Sequence, residues 1–196
     1  MQITITFDGL CKPNPGGIAT WGVAGWCDNA VKVKERDFIG EGLGITNNMA
    51  EWRAALAALR IAQELLNGDA PVRIGGDSEL VIKQLRGEYQ VHDWKLQPCF
   101  EEAQKLRRDL REVEFTHIPR AKNHLADALC RAEYRAIVAL KRKYAVMTPA
   151  VLLDTLIKMT MEWAGYLDEG FGEKAVPRAF RKEYDLALAE YDRRAR

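Results

Sequence analysis

The chain has 196 residues, with 29 Lys and Arg against 28 Asp and Glu for a net charge of +1, and is 47% hydrophobic and 29% charged. That composition excludes a largely disordered chain and a coat protein held to nucleic acid by net charge alone, but it leaves room for an enzyme whose positive charge is confined to a groove. No apolar run approaches the ~18–20 residues that span a bilayer, and Cys11, Cys27, Cys99 and Cys130 lack the paired spacing of a zinc site or a disulfide framework.

Residues 2–8 alternate, with Ile3, Ile5 and Phe7 on one face and Thr4, Thr6 and Asp8 on the other, which predicts a strand ending in a carboxylate. This start has neither a charged leader nor an apolar signal core, so the expected compartment is the cytoplasm. Asn14-Pro15-Gly16-Gly17 marks a turn. Strands are expected over 20–27 and 31–40, joined by Asp28-Asn29, two residue types that tolerate the positive φ of a tight hairpin. A helix is expected over 47–67, capped by Thr46 or Asn47 and stopped by Asn67-Gly68. Its Ala54, Ala55, Ala58 and Ala62 form a small-residue strip that lets a helix lie close to a sheet, with Glu51 at the N-terminal end.

A strand over 72–77 again ends in a carboxylate, Asp77. Helices over 79–86 and 95–111 are broken at Gly87, a fifth strand covers 113–118 up to Pro119, and a helix covers 123–143. The order βββαβααβα predicts an α/β domain over residues 1–144, with a five-stranded mixed sheet and helices on both faces. Past Met147 the pattern changes. Thr148-Pro149 opens a helix over 149–166, a Gly-rich break covers 165–172, and a further helix starts near 177. Residues 145–196, with eight basic and nine acidic side chains, read as a helical extension rather than a basic tail.

Four acids stand at element boundaries: Asp8 and Asp77 after strands, Glu51 early in the long helix, and Asp127 in the first turn of the helix after the fifth strand. Each alone reads as an ordinary end-capping carboxylate. Together at one sheet edge they would repel one another and resist ionisation, unless hard divalent cations such as Mg²⁺ or Mn²⁺ sat between them. Two such cations suit phosphodiester cleavage.

The surrounding words are Asp8-Gly9, Asn14-Pro15-Gly16-Gly17, Thr46-Asn47-Asn48-Met49-Ala50-Glu51, Gly76-Asp77-Ser78 and Asn123-His124-Leu125-Ala126-Asp127. In this order they resemble type I ribonuclease H over about residues 1–140, and Leu85-Arg86-Gly87-Glu88-Tyr89 with His117-Ile118-Pro119-Arg120 resembles its compact archaeal, bacterial and plant-like branch. The resemblance implies the ribonuclease H-like fold. It also implies a two-metal endonuclease that cleaves the RNA strand of RNA–DNA hybrids to 5′-phosphate and 3′-hydroxyl ends, with double-stranded RNA as a further substrate in this branch. Asp8 would bridge both metals, Asp127 would hold the one that activates water, and Glu51 and Asp77 the one at the leaving oxygen. Asn14, Gly16, Gly17, Thr46, Asn47 and Ser78 would contact substrate. Gly44 stands where some relatives place a phosphate-binding arginine before Thr46. The segment 119–123 is too short for the mobile histidine loop of other relatives, so His124 reads as structural or solvent-facing rather than catalytic, and His117 on the fifth strand reads as structural too.

Trp21, Trp26, Trp52 and Cys130 read as core residues, Trp94 with Lys95 as a candidate for substrate contact, and Lys105, Arg107, Arg108 and Arg111 as a solvated face. In the extension, Val151, Leu152, Leu156, Met159, Trp163 and Tyr166 form an expected apolar face. That face would pack locally or serve a partner or a second copy, and Arg178, Arg181 and Lys182 would be the residues of a substrate clamp. The rival reading is a non-catalytic nucleic-acid-binding module on the same fold. An Asp-x-Glu exonuclease is disfavoured because Gly9-Leu10 follows Asp8, and a transposase because the late acid is Asp127 and the glutamate is early.

Overall fold

The computed structural model describes residues 3–66, 71–168 and 177–195. In chain order the elements are β1 (Ile3–Lys12), β2 (Ile18–Cys27), β3 (Ala30–Gly40), α1 (Asn47–Leu66), β4 (Val72–Gly76), α2 (Glu79–Arg86), α3 (Gln97–Arg108), β5 (Val113–His117), a 3₁₀ turn (Arg120–Lys122), α4 (His124–Ala145), α5 (Pro149–Asp168) and α6 (Arg178–Ala195). The sheet order is β3-β2-β1-β4-β5. The first three strands form an antiparallel meander, and β4 and β5 add to it in parallel. The β2–β3 turn is the expected two-residue hairpin, with Asp28 and Asn29 at φ 47° and 66° and Cys27 opposite Ala30. Among the described residues no helix is long and apolar enough to cross a membrane.

The chain divides into two compact units, Met1–Tyr134 and Arg135–Arg196. In the first, Ile3, Ile5 and Phe7 of β1 meet α1 along its alanine strip, where Ala54, Ala55, Ala58 and Ala62 are fully buried. With no bulk on that strip the helix axis lies close to the sheet. Trp52 is core as expected; its indole donates to Gln84 Oε1 at 3.0 Å and its ring meets Phe100 edge-on at 6.2 Å. On the other face α4 packs against β2. A Cβ on Gly22 would lie 2.5 Å from Ala126 O and 2.6 Å from Cys130 N, so glycine is what lets α4 close onto β2.

The first strand differs from expectation: β1 does not end at Asp8 but runs on to Lys12. Its parallel ladder with β4 stops at Phe7–Gly76, while its antiparallel ladder with β2 continues to Lys12–Ile18. Asp8 is thus the first residue past the parallel edge, held within a strand that is still paired on its other side. The third helix is shorter than the expected 95–111, because residues 93–96 form a turn closed by Leu96 N–H to Asp93 O, with Pro98 in the first helical turn.

In the second unit, Tyr144, Leu152, Leu156 and Ala187 form a small core joined by Met159 and Tyr184. Trp163 packs edge-on against Tyr184 at 5.2 Å. Arg194 donates to the carbonyls of Tyr144 and Ala145 at 2.9 and 2.8 Å, satisfying acceptors that the end of α4 leaves open. Thr148 caps α5 as expected, its Oγ1 accepting from Val151 N at 3.3 Å. Val151 itself is 50% exposed rather than on the buried face, because it lies about 100° around the helix from Leu152. The helix also continues to Asp168, through the start of the expected break at 165. Residues 169–172, the Tyr166 side chain and the Asn67-Gly68 stop lie outside the described residues.

Candidate active site

Three elements deliver three carboxylates to one point. Asp8 comes from β1 just past the parallel edge, Asp77 directly follows β4, and Glu51 lies in the second turn of α1. Gly9 makes the approach possible, since a Cβ there would lie 2.3 Å from Ala50 C and Glu51 N. One oxygen from each of Asp8, Glu51 and Asp77 lies within 4.8 Å of the others.

Two of these groups are short of solvent, and Asp77 is half-buried. Asp8 is 4% exposed and Glu51 6%. Burial, followed by the charge of Asp77, pushes the Asp8 carboxyl from 3.8 up to about 7. Burial, followed by the charges of Asp8 and Asp77, raises Glu51 well above the usual carboxylate range. Glu51 Oε2 is buried with no hydrogen-bond partner. A buried carboxylate with an orphaned oxygen, clustered with two further hard oxygen donors, fits a divalent cation of the Mg²⁺ or Mn²⁺ type.

Asp127 stands beside this trio and is not part of it. Its carboxylate accepts from Arg131 Nε at 2.7 Å and Arg120 Nη2 at 3.2 Å. Partial burial pulls its pKa upward, but the hydrogen bonds and charges of Arg131 and Arg120 outweigh this and hold it below the usual value. It remains close enough for its charge to add to the rise at Asp8.

Two residues at the site were not legible as such in the sequence. Asn123, buried ahead of α4, donates from Nδ2 to Phe7 O at 2.8 Å and to Asp77 Oδ1 at 3.0 Å. The only local signal was an asparagine in front of a helix, which points to a cap rather than to a tie across the sheet. Cys130, expected to be inert core, is buried but points its Sγ to Asp8 Oδ2 at 3.2 Å. One helical turn from Asp127 it shares that residue's face, and this spacing was the available clue.

Asn14, Gly16, Gly17, Thr46 and Asn47 are brought together in one knot beside the start of α1. Thr46 Oγ1 accepts from Met49 N at 3.2 Å as the helix cap, and Asn47 N donates to Asn14 Oδ1 at 2.9 Å. Asn47 Oδ1 accepts from Cys11 N at 3.1 Å. Gly16 N donates to Ile45 O at 2.8 Å and Gly17 N to Pro13 O at 2.8 Å. A Cβ on Gly17 would lie 2.1 Å from Lys12 C, so the loop closes only with glycine. Ser78 stands apart from this knot and caps α2, accepting from Val81 N at 3.4 Å. At Gly44, Lys95 Nζ lies 3.2 Å from where a Cβ would be, so a cation reaches this place from another element. Trp94 is 76% exposed with Lys95 over its ring. His124 is exposed as expected; His117 is also exposed, and its Nε2 lies 3.3 Å from Asp77 O.

A mixed five-stranded sheet in the order 3-2-1-4-5, with an acid cluster drawn from β1, α1 and β4, is the ribonuclease H-like fold. The family model described as reverse transcriptase-like matches residues 7–133. The chain is 37% identical over 123 residues to a ribonuclease HI of Halobacterium salinarum, a match covering 63% of this chain and 59% of that one. It is 31% identical over 167 residues to a bifunctional protein of Mycobacterium tuberculosis, covering 84% of this chain and 44% of that one. The chain thus spans about half the length of these two relatives. Among solved structures it is similar to LC11-RNase H1 in complex with RNA/DNA hybrid, with a TM-score of 0.62 and 31% identity over 67% of this chain and 95% of that one. The chain belongs to the reverse transcriptase-like family, in its type I ribonuclease H group.

Proposed function

We propose that the chain is a metal-dependent endoribonuclease that acts in the cytoplasm and hydrolyses the RNA strand of RNA–DNA hybrids, leaving 5′-phosphate and 3′-hydroxyl ends. The observation that carries this reading is the clustered trio Asp8, Glu51 and Asp77, the first two buried and Asp77 half-buried, with the orphaned Glu51 oxygen. A binding module has no use for buried, mutually repelling carboxylates beside a phosphate backbone. The named relatives and the hybrid-bound structural neighbour point the same way.

In this reading Asp8, Glu51, Asp77 and Asp127 hold two Mg²⁺ ions, with Mn²⁺ able to replace them. When bound, these ions stabilise charge on the phosphodiester as Lewis acids and lower the pKa of water. The chain's own residues prepare the place. Asn123 keeps the Asp77 carboxylate turned toward Asp8. Arg120 and Arg131 hold Asp127 ionised at the rim. The knot of Asn14, Gly16, Gly17, Thr46 and Asn47, together with Ser78, lies along the substrate path, and residues 1–144 carry the activity with 145–196 as an extension.

The test is cleavage of a labelled RNA strand in an RNA–DNA hybrid with Mg²⁺, Mn²⁺ or chelator, beside Asp77→Asn and matched double-stranded RNA and DNA. Internal RNA cuts that need metal are expected, with a loss on the order of 10³-fold in the variant, equivalent to several kcal/mol of metal assistance. A folded wild-type protein that binds hybrid and cuts nothing would replace this reading with the binding module.

A further inference from the structure

Resting on the hydrolase reading above, we propose that Cys130 is a positioning residue: its thiol hydrogen anchors one oxygen of the Asp8 carboxylate and so orients the other toward divalent cations. Three of the four acids have their own kind of side-chain anchor. Asp77 takes an amide from Asn123, Asp127 takes two guanidinium groups, and Asp8 takes the Cys130 thiol at 3.2 Å from Oδ2. The same sulfur lies 3.2 Å from Asp127 O, inside α4. A helix carbonyl is already used by the helix's own N–H, whereas Asp8 offers a charged acceptor, so the single thiol proton belongs to Asp8.

The anchor is held in place from both sides of the backbone. Cys130 O accepts from Thr20 Oγ1 at 2.9 Å. Its N–H sits where Gly22 leaves room, and Gly22 is the residue paired with Asp8 across β1 and β2. The sulfur therefore has a defined distance to the carboxylate, set by the sheet register and by the closure of α4. Donors to a metal-ligating carboxylate fix its orientation, and losing one costs about 10–100-fold in metal affinity or activity. A thiol is a weak donor, which places the effect near the lower end.

The experiment measures Mn²⁺ binding to the substrate-free protein by calorimetry for wild type, Cys130→Ala, Cys130→Ser and Cys130→Val, with hybrid cleavage and thermal melts alongside. Serine keeps a donor but loses volume; valine fills the space but cannot donate. The expected result is Mn²⁺ affinity reduced about tenfold in the alanine and valine variants and largely restored in serine, with hybrid binding in chelator unchanged. Equal Mn²⁺ affinity in all four proteins, or recovery by valine and not serine, would overturn the proposal and leave Cys130 as packing. Failure of the wild type itself to cleave hybrid would count against the hydrolase reading, while the Mn²⁺ titrations would still decide the role of Cys130.

Discussion

Neutralising Asp8 should stabilise the protein while abolishing the proposed cleavage, because the folded chain works against this charge. Burial and the neighbouring acids move the Asp8 carboxyl from 3.8 to about 7. At about 1.36 kcal/mol for each tenfold change in proton affinity, that displacement amounts to about 4 kcal/mol. The sign follows from proton release. Below pH 4 the carboxyl is protonated in both folded and unfolded chains and has no effect. Between pH 4 and 7 the unfolded chain releases the proton first, so stability falls as pH rises, and above 7 the whole penalty is present. Asp8→Asn removes the charge with little change of shape. In chelator at pH 8 the variant should be more stable than wild type by about 4 kcal/mol, with a melting point raised on the order of 10 °C, and near pH 4 the gain should vanish. Thermal unfolding followed by circular dichroism at both pH values measures it. Mg²⁺ should raise the wild-type melting point at pH 8 more than that of the variant, because the cation relieves the repulsion that asparagine has already removed. A variant no more stable than wild type at pH 8, or one whose gain is the same at pH 4, would refute the picture of a strained carboxylate cluster.

Further outcomes follow from the contacts around the trio. Asn123→Ala takes the donor from Phe7 O in a buried place and from Asp77 Oδ1 in a partly buried one, which should cost about 1–3 kcal/mol in chemical denaturation and lower cleavage through a misdirected Asp77. Gly22→Ala places a Cβ 2.5 Å from Ala126 O and should push α4 away from β2, costing about 1–3 kcal/mol in thermal melts, with a raised Mg²⁺ requirement for cleavage as the second readout.

The same close approaches explain why the site is strained. Gly9 brings the start of α1 onto β1, and Gly22 brings α4 onto β2. Each removes a side chain that would otherwise hold the acids apart. The energy to hold Asp8 and Glu51 near one another comes from the apolar contacts on the other side of β1, where Ile5, Phe7 and the alanine strip of α1 are fully buried. Stability in the core is in this sense spent against repulsion at the edge, as is common where function sets the residue choice.

Local pattern was enough to find the elements and the acids. Alternation marked the strands, Asp28-Asn29 marked the hairpin, Thr46 and Thr148 marked helix starts, and each acid sat beside a boundary recognisable from its neighbours. Such signals are short-range: a cap, a turn or a period is read within a few residues. What the tertiary structure alone decided spans much longer separations. That β1 runs past Asp8 depends on β2 being longer than β4, which Asp8-Gly9 does not encode by itself. The tie from Asn123 to Phe7 and the contact from Cys130 to Asp8 join residues more than 100 positions apart. Asp127 was legible as the fourth acid, but its place at the rim, held by Arg120 and Arg131, was not. A helix start or one helical turn offers several directions for a side chain, and only the packing of α4 against the sheet selects among them.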